Sequence, residues 1–173
     1  MANGPKYLVI DGYTKAARDQ LVSGGASMAA ELYRNMLIKC SPSGAECDLL
    51  FPSDEGAAFP SDKQLASYDG IAWTGCSLCL NDAHLPEIAR QIDLTRRAYR
   101  ARIPSFGSCW AAQIAVVAAG GQVQPNPNGR EMGIARKIEL TPAGRAHPMY
   151  EGKASVFDGF TSHDDMITHL PPG

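Results

Sequence analysis

Short apolar runs alternate along this chain with longer segments whose apolar residues recur at helical spacing. The runs are Lys6 to Asp11 (KYLVID), Glu46 to Phe51 (ECDLLF), Gly70 to Thr74 (GIAWT) and Ile103 to Phe106. Each has the length and punctuation of a buried strand, and the third follows the turn signal Tyr68-Asp69-Gly70. Between the first two lies a segment from Thr14 to Lys39, broken at Ser23-Gly24-Gly25, which predicts a helix starting near Ser27 as its N-cap. Met28, Leu32, Met36 and Leu37 then recur on one face of it. A second helix is predicted over Leu85 to Arg102, with Pro86 in its first turn and Ile88, Ile92 and Leu94 among charges. The segment WAAQIAVVAAGG reads as an apolar helix stopped by a glycine pair. After a loop over Pro125 to Gly129 come two candidate strands, IARKIELT and KASVFDGF, and the chain runs out in HLPPG. Strand and helix alternating in this way predict an α/β fold in three layers, a mainly parallel central sheet flanked by helices.

Composition narrows the picture. A chain of 173 residues that is 45% hydrophobic can bury one sizeable core, so residues 1–173 are expected to form a single domain. Sixteen basic and 18 acidic residues are spread without a block of one sign and give a formal charge of −2, which favours neither nucleic acid nor an anionic membrane as partner. The basic stretch Arg96, Arg97, Arg100 and Arg102 reads as a solvated helix face. The first apolar run, Tyr7 to Ile10, is too short for a signal peptide or a membrane span. Five cysteines are an odd number in a domain that needs no staples, so thiols in a reducing compartment, by default the cytoplasm, are expected.

The most informative unit is the fourth run, the turn Gly107-Ser108-Cys109 and the helix that follows. A nucleophile between a strand and a helix projects into the crevice at the carboxyl edge of a parallel sheet. There the N–H groups and positive dipole end of the helix lower a thiol's pKa and offer donors to an oxyanion. The context G-S-C-W-A is a cysteine relative of the G-x-S-x-G elbow, with Gly107 at the first small position and Ala111 at the second. On the turn alone a buried core cysteine is an equal alternative.

Other constellations offer less. Cys76-Ser77-Leu78-Cys79 has the C-x-x-C spacing of a redox pair, and His84 would add a third metal ligand, but Asn81 and Asp82 start a helix too late for a redox turn and no fourth ligand is in range. His163-Asp164-Asp165 is not a metal cluster, because adjacent residues on a strand end point to different faces. The glycine pairs Gly24-Gly25 and Gly120-Gly121 lack the context of a phosphate loop. Neither a metal nor an organic cofactor is expected.

The segment PSFGSCWAAQ resembles P-x-x-G-x-C-x-G-x-Q, the nucleophile segment of class I glutamine amidotransferases, with Cys109 as nucleophile and Gln113 four residues on. Upstream, AWTGCSLCLND resembles the strand and turn that carry the family's second oxyanion-hole amide, which falls at Gly75 and Cys76. Downstream, GREMG over Gly129 to Gly133 resembles a segment preceding a strand pair, and TSHDDMITHLPPG resembles S-H-x-D-x-V-x-x-L-P-x-G, whose residues at Ser162, His163 and Asp164 line the glutamine pocket. Four matches in family order from about residue 70 onward are far more specific than one. The resemblance, to class I amidotransferases of the GMP synthase glutaminase type, implies a flavodoxin-like fold.

It also implies a reaction. The thiolate of Cys109 attacks the side-chain amide of L-glutamine, or of another γ-glutamyl compound, to give a γ-glutamyl thioester and ammonia or an amine, and water then releases glutamate. The backbone N–H of Trp110 and of the Gly75 to Cys76 turn would hold the oxyanion, and Gln113 with Ser162, His163 and Asp164 would bind the substrate. Ammonia that is used rather than released requires a synthase partner. The variants of this reading are a γ-glutamyl amide hydrolase, with an apolar pocket near Trp73 and Trp110 for the amine, and a degenerate module that only binds a partner. Two departures stand out. Ala111 replaces a glycine, which a slightly relaxed turn tolerates. The family's general base, a histidine in an H-P-E segment beyond L-P-x-G, has no counterpart, since His147-Pro148 precedes Met149 and comes too early. A truncated chain is the expectation, with activity reduced by orders of magnitude in its absence.

Overall fold

The computed structural model describes residues 4–82 and 84–172, which divide into two compact units, one made of the described residues up to 124 with 165–172 and the other of residues 125–164. In chain order the elements are β1 (Lys6–Ile10), α1 (Lys15–Ser23), α2 (Ala29–Cys40), β2 (Glu46–Leu50), α3 (Asp62–Leu65), β3 (Gly70–Trp73), α4 (Pro86–Arg100), β4 (Ser105–Gly107), α5 (Trp110–Ala118) and β5 (Gln122–Pro125). The second unit adds β6 (Glu131–Glu139), α6 (Pro142–Ala146) and β7 (Val156–His163), and β8 (Asp165–His169) returns to the first.

The first unit is a parallel four-stranded sheet in the order β2-β1-β3-β4, flanked by helices, as the alternating pattern predicts. Its apolar runs are sorted by the strand period of two. Leu8 and Ile10 of β1 join Ile71 and Trp73 of β3 in one core with Ile88, Leu94 and Ala98 of α4 and Trp110 and Ile114 of α5. Val9 and Ala72 point to the other face, where Ala30, Tyr33 and Leu37 of α2 cover them. Register then sets up the site. Ile10 lies opposite both Leu50 and Trp73, and Trp73 lies opposite Gly107, so the residues leaving β1, β3 and β4 emerge together at one edge.

Two expectations about the segment after β1 are corrected. Its first half is itself helical, α1, capped by the Thr14 hydroxyl, which accepts the Ala17 N–H. Ser27 does not cap α2: the N-cap is Met28, and the Ala30 N–H donates 3.0 Å to Oδ2 of Asp11, a carboxylate distant in sequence. The α2 face is also rotated from the predicted one. Leu32 and Met36 are exposed, because the sheet receives the stripe Ala30, Tyr33, Leu37 instead. Both stripes have helical period, and only the contact with Val9 and Ala72 selects between them.

The second unit is an antiparallel pair, β6 with β7, in which Glu131 lies opposite His163 and Ile134 opposite Phe160. A bulge between Ala135 and Ile138 places Lys137 at φ 56°, with its N–H donating to Asp158 Oδ1. β6 starts three residues before its predicted run and ends two residues short of it, and β7 starts three residues into its run and ends three residues beyond it.

Candidate active site

Cys109 is the N-cap of α5 and adopts φ 56°, ψ −116°, a conformation sparsely populated by residues with a side chain. Its side chain is exposed, which removes the core-cysteine alternative. The elbow closes through hydrogen bonds from the Ala111 N–H to the Ser108 carbonyl and from the Ala112 and Gln113 N–H groups to the Cys109 carbonyl. Gly107 makes this turn sterically feasible. A Cβ built there would lie 2.3 Å from the Ala111 methyl and 3.1 Å from Trp73 Cβ, so the methyl of Ala111 is accommodated because residue 107 has no side chain.

The turn after β3 meets the elbow from the side. A Cβ at Gly75 would stand 3.5 Å from Cys109 Cβ and 3.9 Å from its Sγ. The peptide that follows Gly75 is fixed by Thr74, a buried residue that sequence reading treats only as a strand end. Its hydroxyl accepts the Gly12 N–H at 3.1 Å and donates to the Gly75 carbonyl at 2.8 Å. Since a trans peptide directs its C=O and N–H to opposite sides, the Cys76 N–H points away from Thr74.

Trp110 anchors the other flank. Its indole is 1% exposed and Nε1 donates to Gln91 Oε1 at 2.9 Å. Gln91, fully buried in α4, donates in turn to the Gly12 carbonyl and to Ser53 Oγ. The sequence carries no local sign of this residue, since its partners lie in three other segments. Gly12 is held close as well: a Cβ there would meet Trp110 Cδ1 at 2.9 Å and Cys76 Cβ at 3.2 Å. The structure therefore brings Cys109, Gly75, Cys76 and Trp110 together.

Gln113 is buried in the same unit, and its Nε2 donates 3.0 Å to the Asp165 carbonyl, while Asp165 Oδ2 accepts the Leu80 N–H at 2.9 Å. Asp165 thus ties β8 to α5 and to the turn before α4. Ser162, His163 and Asp164 belong to the second unit, where Arg130 donates to Ser162 Oγ and pairs with Asp164 at 3.0 Å. His163 Nε2 lies 3.3 Å from Glu131 Oε2, and its Nδ1 is buried with no hydrogen-bond partner among the described residues. Arg130 and Glu131 lie within GREMG, so the match to that segment was their only sequence signal.

Electrostatics around the elbow favour neutral neighbours. Burial pushes the Cys76 thiol well above its ordinary range, outweighing the Leu78 N–H that it accepts at 3.3 Å, and the adjacent Cys109 and Asp11 push the same way. Burial also raises Asp11, against the lowering effect of the Tyr13 and Ala30 amides. Cys76 is consequently a poor redox nucleophile. Iodoacetamide at pH 7.5 is expected to alkylate it at least ~100-fold more slowly than the exposed Cys40, since the thiolate fraction falls about tenfold per unit of pKa. Peptide mass spectrometry over a time course checks this. Among the described residues no group of three or more His, Cys, Asp or Glu side chains is placed to hold a metal, and no helix is long and apolar enough to cross a membrane.

The family model for glutamine amidotransferase class-I matches residues 79–173, more than half of the chain, including the elbow. The chain belongs to the class I glutamine amidotransferase family. Along 97% of its length this amidotransferase-family chain is 35% identical to a γ-glutamyl-L-1-hydroxyisopropylamide hydrolase from a Pseudomonas species, of which it spans 57%. Over 71 residues, 41% of the chain, it is 32% identical to a glutamine-hydrolysing GMP synthase of Neisseria meningitidis serogroup C, of which that match spans 13%. Among solved structures, a glutamine amidotransferase from Thermotoga maritima superposes with a TM-score of 0.66 at 17% identity, covering 98% of this chain and 64% of that one. One from Methylobacillus flagellatus superposes at 0.63 with 21% identity, covering 99% and 59%. These superpositions establish the fold of the family. The chain spans between about half and two thirds of the length of the Pseudomonas relative and of both structures.

Proposed function

We propose that the chain carries the thiol site of a γ-glutamyl amide hydrolase. The observation that carries this reading is Cys109 at a positive φ on the N-terminus of α5, with Gly75 against its side chain. The Cys109 thiolate attacks the γ-carbonyl carbon of the substrate, forming a C–S bond and an oxyanion. Collapse breaks the C–N bond, and the amine departs carrying the proton that the Cys109 thiol gave up on forming the thiolate. Water then attacks the γ-glutamyl thioester, releasing glutamate and returning the thiol.

The oxyanion donors in this reading are the N–H groups of Trp110 and Cys76. Their positions are held by groups outside the elbow: Gln91 through the indole of Trp110, and Thr74 through the Gly75 carbonyl. Thr74→Val removes the hydroxyl that orients the Gly75–Cys76 peptide. It is expected to lower kcat by roughly 10- to 100-fold with little change in KM, because an oxyanion donor acts in the transition state. Thr74→Ser should restore most of the rate in steady-state assays. Equal kcat in Thr74→Val and wild type would remove Cys76 as a donor.

The substrate class follows from extent of similarity. The match to the Pseudomonas hydrolase runs along nearly the whole chain, whereas the match to GMP synthases covers 71 residues. A γ-glutamyl conjugate of a small amine is therefore the leading substrate. The shorter match supports a second reading, hydrolysis of L-glutamine with ammonia passed to a synthase partner. Glutamate release from L-glutamine and from γ-glutamyl isopropylamide, measured in parallel on the same protein, separates the two. Preference for the isopropylamide in kcat/KM supports the hydrolase, preference for glutamine supports the amidotransferase, and inertness toward both refutes the thiol site.

A further inference from the structure

Trp110, which the sequence sets beside an amine pocket, instead buries its indole under the elbow against Gln91 and Gly12. Two separate hydrogen-bond relays meet at Gly12. Its N–H donates 3.1 Å to the Thr74 hydroxyl, which in turn donates to the Gly75 carbonyl. Its C=O accepts from Gln91 Nε2 at 3.3 Å, and Oε1 of the same Gln91 accepts the Trp110 indole N–H. Ser53 Oγ donates to that carbonyl as well, at 3.3 Å. The first relay ends on the Gly75–Cys76 peptide and the second on Trp110.

We propose that Gly12 is a positioning residue of the thiol site, the common anchor that sets the distance between the N–H groups of Cys76 and Trp110. The proposal rests on the reading of Cys109 as nucleophile and of those two amides as its oxyanion donors.

The space around Gly12 is taken up by both donor residues. A Cβ there would meet Trp110 Cδ1 at 2.9 Å, Trp110 Nε1 at 3.2 Å and Cys76 Cβ at 3.2 Å. Backbone conformation does not call for glycine at this position. Gly12 is not among the residues at positive φ, so only its neighbours exclude a side chain. The residue is also buried, so its peptide groups cannot turn to water and stay with Thr74, Gln91 and Ser53. Both N–H groups must lie within about 3 Å of one oxygen to stabilise an oxyanion. A methyl at position 12 would wedge them apart without touching the thiol or the substrate.

The test is Gly12→Ala, assayed for glutamate release from γ-glutamyl isopropylamide and from L-glutamine. We expect kcat to fall at least ~30-fold while KM stays within about threefold, since the donors act in the transition state. The indole N–H resonance of Trp110, assigned against Trp73→Phe, should move in the same variant because the ring is displaced from Gln91. Rescue separates positioning from a general loss of packing. Cys76→Gly removes one of the two obstructions, and adding it should raise kcat at least ~5-fold over Gly12→Ala alone. Cys76→Ala keeps that Cβ and should restore nothing. A kcat in Gly12→Ala within threefold of the parent, a rise in KM in place of the fall in kcat, or no difference between the two Cys76 additions overturns the proposal. Should Gly12→Ala fail to fold by circular dichroism, Thr74→Val and Gln91→Met carry the test. With a common anchor, the kcat loss of that pair is at least ~5-fold smaller than the product of the single losses, and a loss equal to the product overturns the proposal. Failure of the underlying reading looks different: the unaltered protein releases glutamate from neither compound, or Cys109→Ala releases it as fast, while the indole resonance still moves in Gly12→Ala.

Discussion

Cys109→Ala is expected to lower glutamate release from any γ-glutamyl amide by at least about 10⁴-fold, because every later step proceeds from the C–S bond that this thiol forms. The result should be an effect on kcat with substrate binding retained. Cys109 is exposed at the N-cap of α5, and a methyl in its place disturbs neither the Trp110–Gln91 hydrogen bond nor the packing of Ala111 against Gly107. The structural readout is therefore a melting temperature within a few degrees of the parent. A second readout is covalent. Acid quenching of the parent during turnover should trap a γ-glutamyl adduct on the peptide containing Cys109, which intact-mass analysis would miss in the variant. Residual turnover near the parent level would mean that the exposed thiol at the elbow is not the nucleophile.

Gly107→Ala is the second large effect, and it should appear in stability and rate together. The added methyl would sit 2.3 Å from the Ala111 methyl and 3.1 Å from Trp73 Cβ. Neither group can rotate away, because each is fixed directly to backbone. Relief requires the elbow to open, and overpacking of this kind costs at least about 2 kcal/mol. A shift of the turn by about an ångström should also lower kcat roughly 100-fold. Adding Ala111→Gly removes the first contact. The double variant is expected to recover at least ~1 kcal/mol beyond additivity, the helix penalty of glycine cancelling because the Ala111→Gly single variant carries it too. Urea midpoints of the four proteins give the coupling. Strict additivity would show that contact between residues 107 and 111 does not shape the turn. The same cycle measures how far Gly107, a glycine of the family pattern too, leaves room for the methyl of Ala111.

Much of the architecture was legible from local pattern. The four apolar runs mark the four parallel strands to within two residues at either end, although only the central strands β1 and β3 are largely buried and the edge strands β2 and β4 stay partly exposed. The order of motifs likewise led to Cys109, Gly75, Cys76 and Trp110, which the sheet register gathers at one edge. The phase of α2 was not legible, because two stripes of equal period compete and the choice lies with Val9 and Ala72 on other strands. Nor was its cap, which Asp11 supplies from 19 residues away.

The residues that steady the elbow were harder still to foresee. Thr74 acts on Gly12 across 62 positions, Gln91 on Gly12 across 79, and Asp165 on Leu80 across 85. A buried hydroxyl, amide or carboxylate has meaning only through the partner that satisfies it, and the partner is chosen by packing. The sequence by itself determined the strand–helix alternation, the small-residue turn and the thiol on it, because each follows from periodicity and backbone sterics within a few residues. The tertiary structure alone decided which groups orient the Gly75–Cys76 peptide and which face of α2 meets the sheet. Those are matters of register and contact between segments far apart in the chain, and no local pattern encodes them.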